Sequence, residues 1–170
     1  MSLDAVELLM IEHLQCKSVA ELQMTHSDFE KFRNFHSFLK SVHIEVEEKV
    51  VFPNLVAPLW DDSKIFSENV RKIAADHKLL DTLARNMIKW NEDGKQELYL
   101  ERLPLYFKLL VDHNGREESD LFIRWKDVDK GVYRDASKEI YNIIDNFGLE
   151  KYRVAMNLTE SALTYFLNQR

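Results

Sequence analysis

The 170-residue chain is poor in the residues that cross-link or bend a polypeptide. It contains a single cysteine, Cys16, with three prolines and four glycines. One cysteine excludes an internal disulfide and any metal site built from thiolates alone. So few prolines and glycines leave too few turns for a many-stranded sheet and favour long helices. The composition therefore predicts an all-α protein, in which any polar site must use histidine, aspartate and glutamate.

Long apolar runs and an excess of positive charge are absent too. The longest apolar stretch is far shorter than the roughly 18–20 residues that cross a bilayer. The first residues, MSLDAVELLMIEHLQ, carry acids where a signal peptide has basic residues. The net charge is −6, whereas phosphate binding needs a concentrated basic face. We therefore expect a soluble, cytoplasmic protein with neither nucleic acid nor a membrane as partner.

Apolar residues recur at helical spacing in four long segments. The predicted helices run from Ser2 to about Met24, from Ser27 or Asp28 to Pro53, from about Lys64 to Trp90, and from about Gln96 to Trp125. Short polar links join them, as is typical of an antiparallel up-down-up-down four-helix bundle. We expect Pro104 to kink or locally unwind the fourth helix, and the tryptophans near helix ends, Trp60, Trp90 and Trp125, to close the bundle.

Residues 1–128 are predicted to form this bundle, and residues 129–170 a C-terminal helical extension. In the extension a short helix from about Asp135 to Asn146 ends at Gly148. A last helix follows, with an apolar stripe that runs from Leu149 to Phe166. Such a stripe needs a partner surface. We expect it to pack on the bundle or on a second subunit, which would make a homodimer.

One sequence skeleton occurs twice. Residues 43–52 read HIEVEEKVVF and residues 113–122 read HNGREESDLF, so that each histidine is followed by glutamates at +4 and +5 and by phenylalanine at +9. Positions i and i+4 of a helix share a face. His43 with Glu47, and His113 with Glu117, can therefore each aim an imidazole and a carboxylate at one point.

The other two helices each offer one inward histidine that follows an acid, in Glu12-His13 and Asp76-His77. On the first helix this histidine is predicted to share the apolar face with Met10 and Cys16. The separations along the chain suit helical hairpins, which bring mid-helix positions to one level. Four imidazoles and two carboxylates are thus expected to converge inside the bundle.

Such a cluster needs a counter-charge or a metal, because buried charges are costly when unpaired. No lysine or arginine lies on the inward stripes. Two ions about 3.5–4 Å apart, bridged by the two glutamates, would use six ligands better than one ion. Nitrogen and carboxylate ligands without thiolate suit iron, manganese or zinc, although structural zinc prefers a closed tetrahedral set. The sequence predicts a dinuclear site with open positions for a small molecule.

The order of these motifs resembles the hemerythrin-like family, also called the HHE cation-binding domain, over roughly residues 3–126. Phe52-Pro53 and Phe122 follow the two His-x-x-x-Glu-Glu motifs in the same order as in that family. The resemblance implies four antiparallel helices around a non-haem di-iron centre. It also implies the role of each ligand: the terminal ligands would be His13, His43, His77 and His113, and the bridges Glu47 and Glu117.

The family resemblance implies a protein that binds O₂, NO or a related small oxidant, in storage, sensing or stress defence. Oxygen carriers of the family have a second histidine four positions before the one at 77, where this chain has Ile73. Two alternatives stay open. The first is a di-iron oxidoreductase or an iron–sulfur cluster repair protein, although repair proteins usually carry a cysteine-containing N-terminal domain that this sequence lacks. The second is a structural module held together by its metal.

Five further residues have two interpretations each. Glu48 and Glu118 are expected to be solvated or to hydrogen-bond the ligand imidazoles, with Glu118 as an alternative bridge in its half. His36 is a core residue or a fifth histidine ligand. Cys16 is a small buried hydrophobe or a redox group, and Tyr106 is a core residue or a hydrogen-bond partner of a bound ligand.

Overall fold

The computed structural model of the protein describes residues 4–56 and 63–158, without the side chains of Ser63, Lys130, Tyr133 and Arg134. Helices make up nearly all of these residues, and the described part contains no strand, which confirms the all-α prediction. Within the same ranges, none of the helices has the length and apolar character of a membrane span. Several predicted features lie outside the described residues, namely Ser2, Trp60, Thr159, Leu163 and Phe166.

The first helix, α1, spans Ala5–Thr25. Asp4 caps it, since its Oδ1 accepts hydrogen bonds from the backbone amides of Val6 and Glu7 at 2.8 and 3.2 Å. The predicted inward face of α1 is confirmed at His13 and Cys16, which are fully buried, but it is wrong at Met10. Met10 is 38% exposed, whereas Glu12 is fully buried. Glu12 is stable in the core because its carboxylate is hydrogen-bonded there by His43 and Tyr152.

The second helical segment, residues 29–55, is interrupted twice by π-helical turns. It consists of α2 (Phe29–Phe38), π1 (Leu39–His43), α3 (Ile44–Val46), π2 (Glu47–Val51) and α4 (Phe52–Leu55). Asp28 caps its start, as predicted, by accepting from the amide of Lys31. The π turns were not predicted. They begin or end at the candidate ligands His43 and Glu47, and π turns are frequent at functional sites.

The third segment is α5 (Ser63–Glu92), and the fourth begins with α6 (Gln96–Arg116). α6 stays α-helical through Pro104, so the predicted local unwinding there is wrong. The regular helix ends instead at the second copy of the repeat. A π turn, π3 (Glu117–Leu121), and a 3₁₀ turn (Phe122–Asp127) complete this segment. Trp125 is buried at its end and Trp90 is half-buried at the end of α5.

The C-terminal extension packs on the first half of the chain. It contains α7 (Lys130–Phe147) and α8 (Leu149–Ala155), separated by Gly148 at φ 103°. Gly148 ends α7 as predicted, but α7 begins earlier than expected and α8 ends much earlier. The rings of Phe147 and Tyr152 lie 6.5 and 5.9 Å from that of Phe38. The described part of the extension therefore covers α2 rather than standing free.

Candidate metal centre

The six predicted ligands meet in the core. Their ligand atoms form two groups, each with all atoms within 4.8 Å of one another. One group is His13, His43, Glu47 and Glu117, and the other is Glu47, His77, His113 and Glu117. All six side chains are between 0 and 4% exposed. Each group could hold a metal ion, and the two glutamates belong to both.

Glu47 turns one oxygen to each histidine pair. Its Oε1 lies 3.1 Å from Nε2 of His43 and 3.7 Å from Nε2 of His13. Its Oε2 lies 3.3 Å from Nε2 of His77. One carboxylate thus faces two candidate ion positions, which is the arrangement that a bridging ligand requires.

Glu117 does the same from the opposite helix. Its Oε2 lies 3.5 Å from Nε2 of His13, and its Oε1 lies 3.3 Å from Nε2 of His113 and 3.7 Å from that of His77. The geometry favours Glu117 over Glu118 in this place, because Glu118 contacts the outer nitrogen of His13, Nδ1, at 2.9 Å.

The inward-facing atoms lack hydrogen-bond partners. Within the described residues, this holds for Nε2 of His13 and His43 and for both carboxylate oxygens of Glu47 and Glu117. The Nε2 atoms of His77 and His113 face each other at 3.0 Å. Buried polar atoms are rarely left unsatisfied, so this donor set fits bound cations.

Acids on the outer side fix the imidazoles. Nδ1 of His43 donates to Glu12 at 2.8 Å. The other pairs join His77 to Glu48 at 2.8 Å and His13 to Glu118 at 2.9 Å. A carboxylate on Nδ1 holds the tautomer that leaves the Nε2 lone pair for a metal. The predicted contact of both second glutamates with imidazoles is therefore present.

The repeated phenylalanines lie against the same imidazoles. Phe52 stacks on His77 at 5.9 Å between ring centroids, and Phe122 stacks on His13 at 5.4 Å. In a regular α-helix a residue five positions after a glutamate lies about 140° away from it. Here the amide of Phe52 donates to the carbonyl of Glu47 across the π turn, and that of Phe122 to Glu117. The π turns thus explain why the repeat has phenylalanine at +9.

Comparison with known proteins supports the same interpretation. The family model of the hemerythrin HHE cation-binding domain matches residues 4–124. The chain belongs to this family. Searches of curated proteins and of solved structures gave no significant match. As a hemerythrin HHE domain the protein carries buried histidine and glutamate groups suited to cations, and these are the groups just described.

Without a metal, the imidazoles and carboxylates of this HHE domain are each other's counter-charges. Burial disfavours the charged form of His77, but the neighbouring Glu117 and Glu47 outweigh burial and raise its pKa to about 10. Burial acts likewise on His43, yet Glu47 and Glu12 raise its pKa well above the usual value. Burial would raise the pKa of Glu47, but the histidines, His43 foremost, hold it well below the usual range. Protons therefore compete with metal for this centre.

Three further sequence candidates lie around the HHE centre and outside its ligand groups. Nδ1 of His36 lies 3.2 Å from the Tyr106 hydroxyl and its Nε2 lies 3.3 Å from Asp81, so both its ring nitrogens are engaged away from the ligand groups. Tyr106 is fully buried with it. Cys16 is fully buried as well, and burial raises the pKa of its thiol to about 12. Cys16 and Tyr106 thus occupy the core, and His36 is not placed as a fifth ligand.

Two kinds of contact at the HHE centre were not predicted from the sequence, namely those of the acids that precede histidines with a histidine of another helix, and that of Tyr152 with Glu12. Glu12 was noted only as the acid before His13, but it bonds His43 of the next helix. The matching acid, Asp76, lies 3.5 Å from Nδ1 of His113. Tyr152, in the extension, donates to Glu12 at 3.0 Å. The two acid-histidine dipeptides were a usable sequence signal for the first contact, whereas nothing in the sequence indicated the second.

Proposed function

We propose that this HHE domain is a non-haem di-iron protein that binds O₂, NO or a related small oxidant. The observation that carries the proposal is the pair of ligand groups that share Glu47 and Glu117. Each group has two imidazoles, and each shared carboxylate turns an oxygen to both groups. Two ions bridged in this way suit the six ligands better than one.

His13, His43, His77 and His113 would be the terminal ligands, and Glu47 and Glu117 the bridges. Two ferrous ions would supply a redox-active pair to which a diatomic molecule can coordinate. Nitrogen and oxygen donors without thiolate suit iron, with manganese or zinc as competitors. Six protein ligands leave positions open on two ions, and Ile73 rather than a histidine stands four residues before His77. This supports access for a small ligand.

Burial supports a diatomic ligand over a larger substrate. The six side chains are nearly inaccessible to water. The surface groove of about 740 Å³ between α1, α2 and α8 is lined by none of them. The chain's own residues would thus orient the imidazoles, exclude water and admit only a molecule small enough to diffuse between packed helices.

The proposal includes the arrangement of the helices and the location of the protein. α1, residues 29–55, α5 and the segment that begins with α6 would form an antiparallel up-down-up-down bundle over residues 1–128. Short links between them, such as residues 93–95, support this topology. The extension, residues 129–170, would form a separate helical region that follows the bundle. A cytoplasmic location and a homodimer through the last helix stay predictions from the sequence.

Metal analysis and optical spectroscopy of anaerobically purified protein test this function. We expect about two irons per chain and a new absorption band when O₂ or NO is added. Glu47→Ala, which removes a carboxylate that both ligand groups share, should lose the band, whereas His36→Gln, which changes a buried histidine outside the ligand groups, should keep it. Fewer than two metals per chain, or a spectrum that neither gas alters, would contradict the proposal.

One observation favours a second candidate, a module in which metal only stabilises the fold. The buried imidazoles and carboxylates already compensate each other's charge, as the raised pKa of His77 indicates. A protein whose metal removal lowers the melting temperature, and whose metal-loaded form responds to neither O₂ nor NO, would belong to this class. Turnover of peroxide or NO, or restoration of a damaged iron–sulfur cluster, would instead indicate the oxidoreductase or repair alternative.

A further inference from the structure

The C-terminal extension reaches the candidate metal centre through one buried tyrosine. Tyr152 lies on α8, beyond residues 4–124 that the family model matches. It is 1% exposed. Its hydroxyl donates to Oε1 of Glu12 at 3.0 Å, and Oε2 of the same carboxylate accepts from Nδ1 of His43 at 2.8 Å. Two buried hydrogen bonds thus connect α8 to a candidate ligand.

α8 is held against this end of the core by other contacts. Nε2 of Gln15 on α1 donates to the carbonyl of Ala155 at 3.3 Å. The ring of Phe38 lies 5.9 Å from that of Tyr152 and 6.5 Å from that of His43, so it contacts both residues. The hydrogen bond from Gln15 and the ring contact with Phe38 therefore hold the hydroxyl of Tyr152 beside Glu12.

The corresponding acid in the second half lacks such support. Asp76 receives a hydrogen bond from Arg116 at 2.7 Å and is 26% exposed. It lies 3.5 Å from Nδ1 of His113, and that nitrogen has no hydrogen-bond partner among residues 4–56 and 63–158. A partly exposed acid engaged by arginine orients an imidazole less firmly than a buried one whose two oxygens are both hydrogen-bonded.

The acids behind the other two histidines differ in the same direction. Glu118, behind His13, is 25% exposed. Glu48, behind His77, is 47% exposed. Water screens the more exposed carboxylate more strongly and leaves it more rotational freedom. In both comparisons the His13–His43 pair is better supported from outside than the His77–His113 pair.

We propose that Tyr152 is a positioning residue for His43, and that α8 thereby makes the His13–His43 position bind its metal more tightly than the His77–His113 position. The inference rests on the proposed dinuclear site. Groups that hydrogen-bond a ligand histidine typically change metal affinity by about 10- to 100-fold. Tyr152 acts one bond further out and sets the orientation of Glu12.

Anaerobic calorimetric titration with Mn²⁺ tests this inference. The wild type should bind in two steps of different affinity. Tyr152→Phe, which keeps the ring, should weaken the tighter step by about three- to tenfold and leave the other step unchanged. Tyr99→Phe is the matched control. Tyr99 is also 1% exposed, and its hydroxyl bonds Ser27 away from the centre, so its loss should alter neither step.

Nitrogen-15 spectra of the histidine rings give a second measurement. In Tyr152→Phe only the His43 resonances should move, because Glu12 loses one of its two hydrogen bonds. Equal titrations for the two tyrosine variants would overturn this inference and leave the dinuclear site intact. So would equal weakening of both steps with a lowered metal-free melting temperature, which would indicate a structural role. A wild type that binds fewer than two ions would contradict the proposed function, and this inference with it.

Discussion

The two halves of the helical core, residues 4–56 and 63–128, present the same side chains to the centre and differ in what lies behind them. In each half an acid stands before a histidine, and a His-x-x-x-Glu-Glu motif opens a π turn at its first glutamate. Behind His43 lies a buried acid held by the extension. Behind His113 lies a partly exposed acid held by arginine.

This difference shows that pseudo-symmetry of the ligands does not make the two positions equivalent. The repeated sequence at residues 43–52 and 113–122 sets which residues face the centre. The orientation of their side chains also depends on neighbouring residues that lie outside the repeat. Tyr152 is such a neighbour, and it comes from outside the matched residues. In the proposed dinuclear site, the halves would therefore bind metal with different affinity while they share Glu47 and Glu117.

The largest effect is expected for the bridges. Glu47→Ala or Glu117→Ala should abolish binding in both halves, because each carboxylate faces both histidine pairs. Metal affinity should fall by more than about 100-fold, and the stabilisation by metal, about 2.7 kcal/mol at 100 times the dissociation constant, should vanish. Metal analysis and thermal unfolding with and without Fe²⁺ measure both quantities. A variant that keeps one full site would show that the halves are independent.

Removing one terminal ligand should show the metal binding of each half by itself. We expect His43→Ala and His113→Ala each to retain about one ion, since the pair in the other half is intact. The ion that remains in His113→Ala should be bound more tightly than the one in His43→Ala. Competition with a chelator of known affinity measures the difference, and equal affinities would remove the distinction between the halves.

Neutralising the outer acids should have a smaller and unequal effect. Glu12→Gln should weaken metal binding by about 10- to 100-fold, because it removes the buried negative charge and one of the two acceptor oxygens that serve His43 and Tyr152. Asp76→Asn should weaken it by less than about threefold, since that acid makes no hydrogen bond to His113. Titration with Mn²⁺ checks both variants. A larger effect for Asp76→Asn would reverse the comparison.

Protons should leave both halves when metal binds. The pKa of His77 is raised to about 10 and that of His43 well above its usual value, so the metal-free protein favours both rings as imidazolium cations. Their contribution to the stability of the metal-free protein is complete below about pH 6.5, and that of His77 is lost as pH rises towards 10. Metal affinity should therefore increase with pH. Calorimetry in buffers of different ionisation enthalpy should show roughly two protons released, and none would contradict the charge pairing.

The smallest effect is expected at Cys16. It lies three residues after His13, as Leu80 lies three after His77, and both side chains are buried. Because burial raises the pKa of the Cys16 thiol to about 12, iodoacetamide at pH 8 should label it in denaturant and not in the folded protein. Cys16→Ala should leave both metal steps unchanged. Rapid labelling of folded protein would indicate a reactive thiol.

The sequence was sufficient for the helical fold and for the convergence of six side chains. Periodicity located four long helical segments, and Asp28 begins a helix and Gly148 ends one as predicted. His43 and Glu47 are four positions apart, and in a helix this spacing places both side chains on the same face. Their function as metal ligands stays a prediction.

The parts that the sequence did not reveal depend on tertiary contacts. An acid such as Glu12 is normally assigned to the surface, and only its partners from two other elements explain its burial. The π turn at residues 47–51 lets Glu47 and Phe52, which are five positions apart, both face the core. The α-helical period of 3.6 residues would place these two side chains on different faces, so it does not predict such a turn. The link from Tyr152 to Glu12 spans 140 positions, and no local pattern predicts a contact of that range.

The existence of the shared centre can be tested directly by X-ray absorption of the iron-loaded protein, together with its iron content. We expect about two irons per chain, nitrogen and oxygen neighbours only, and a second iron about 3.5–4 Å from the first. A single iron per chain, or two irons with no iron neighbour at that distance, would contradict a centre bridged by Glu47 and Glu117.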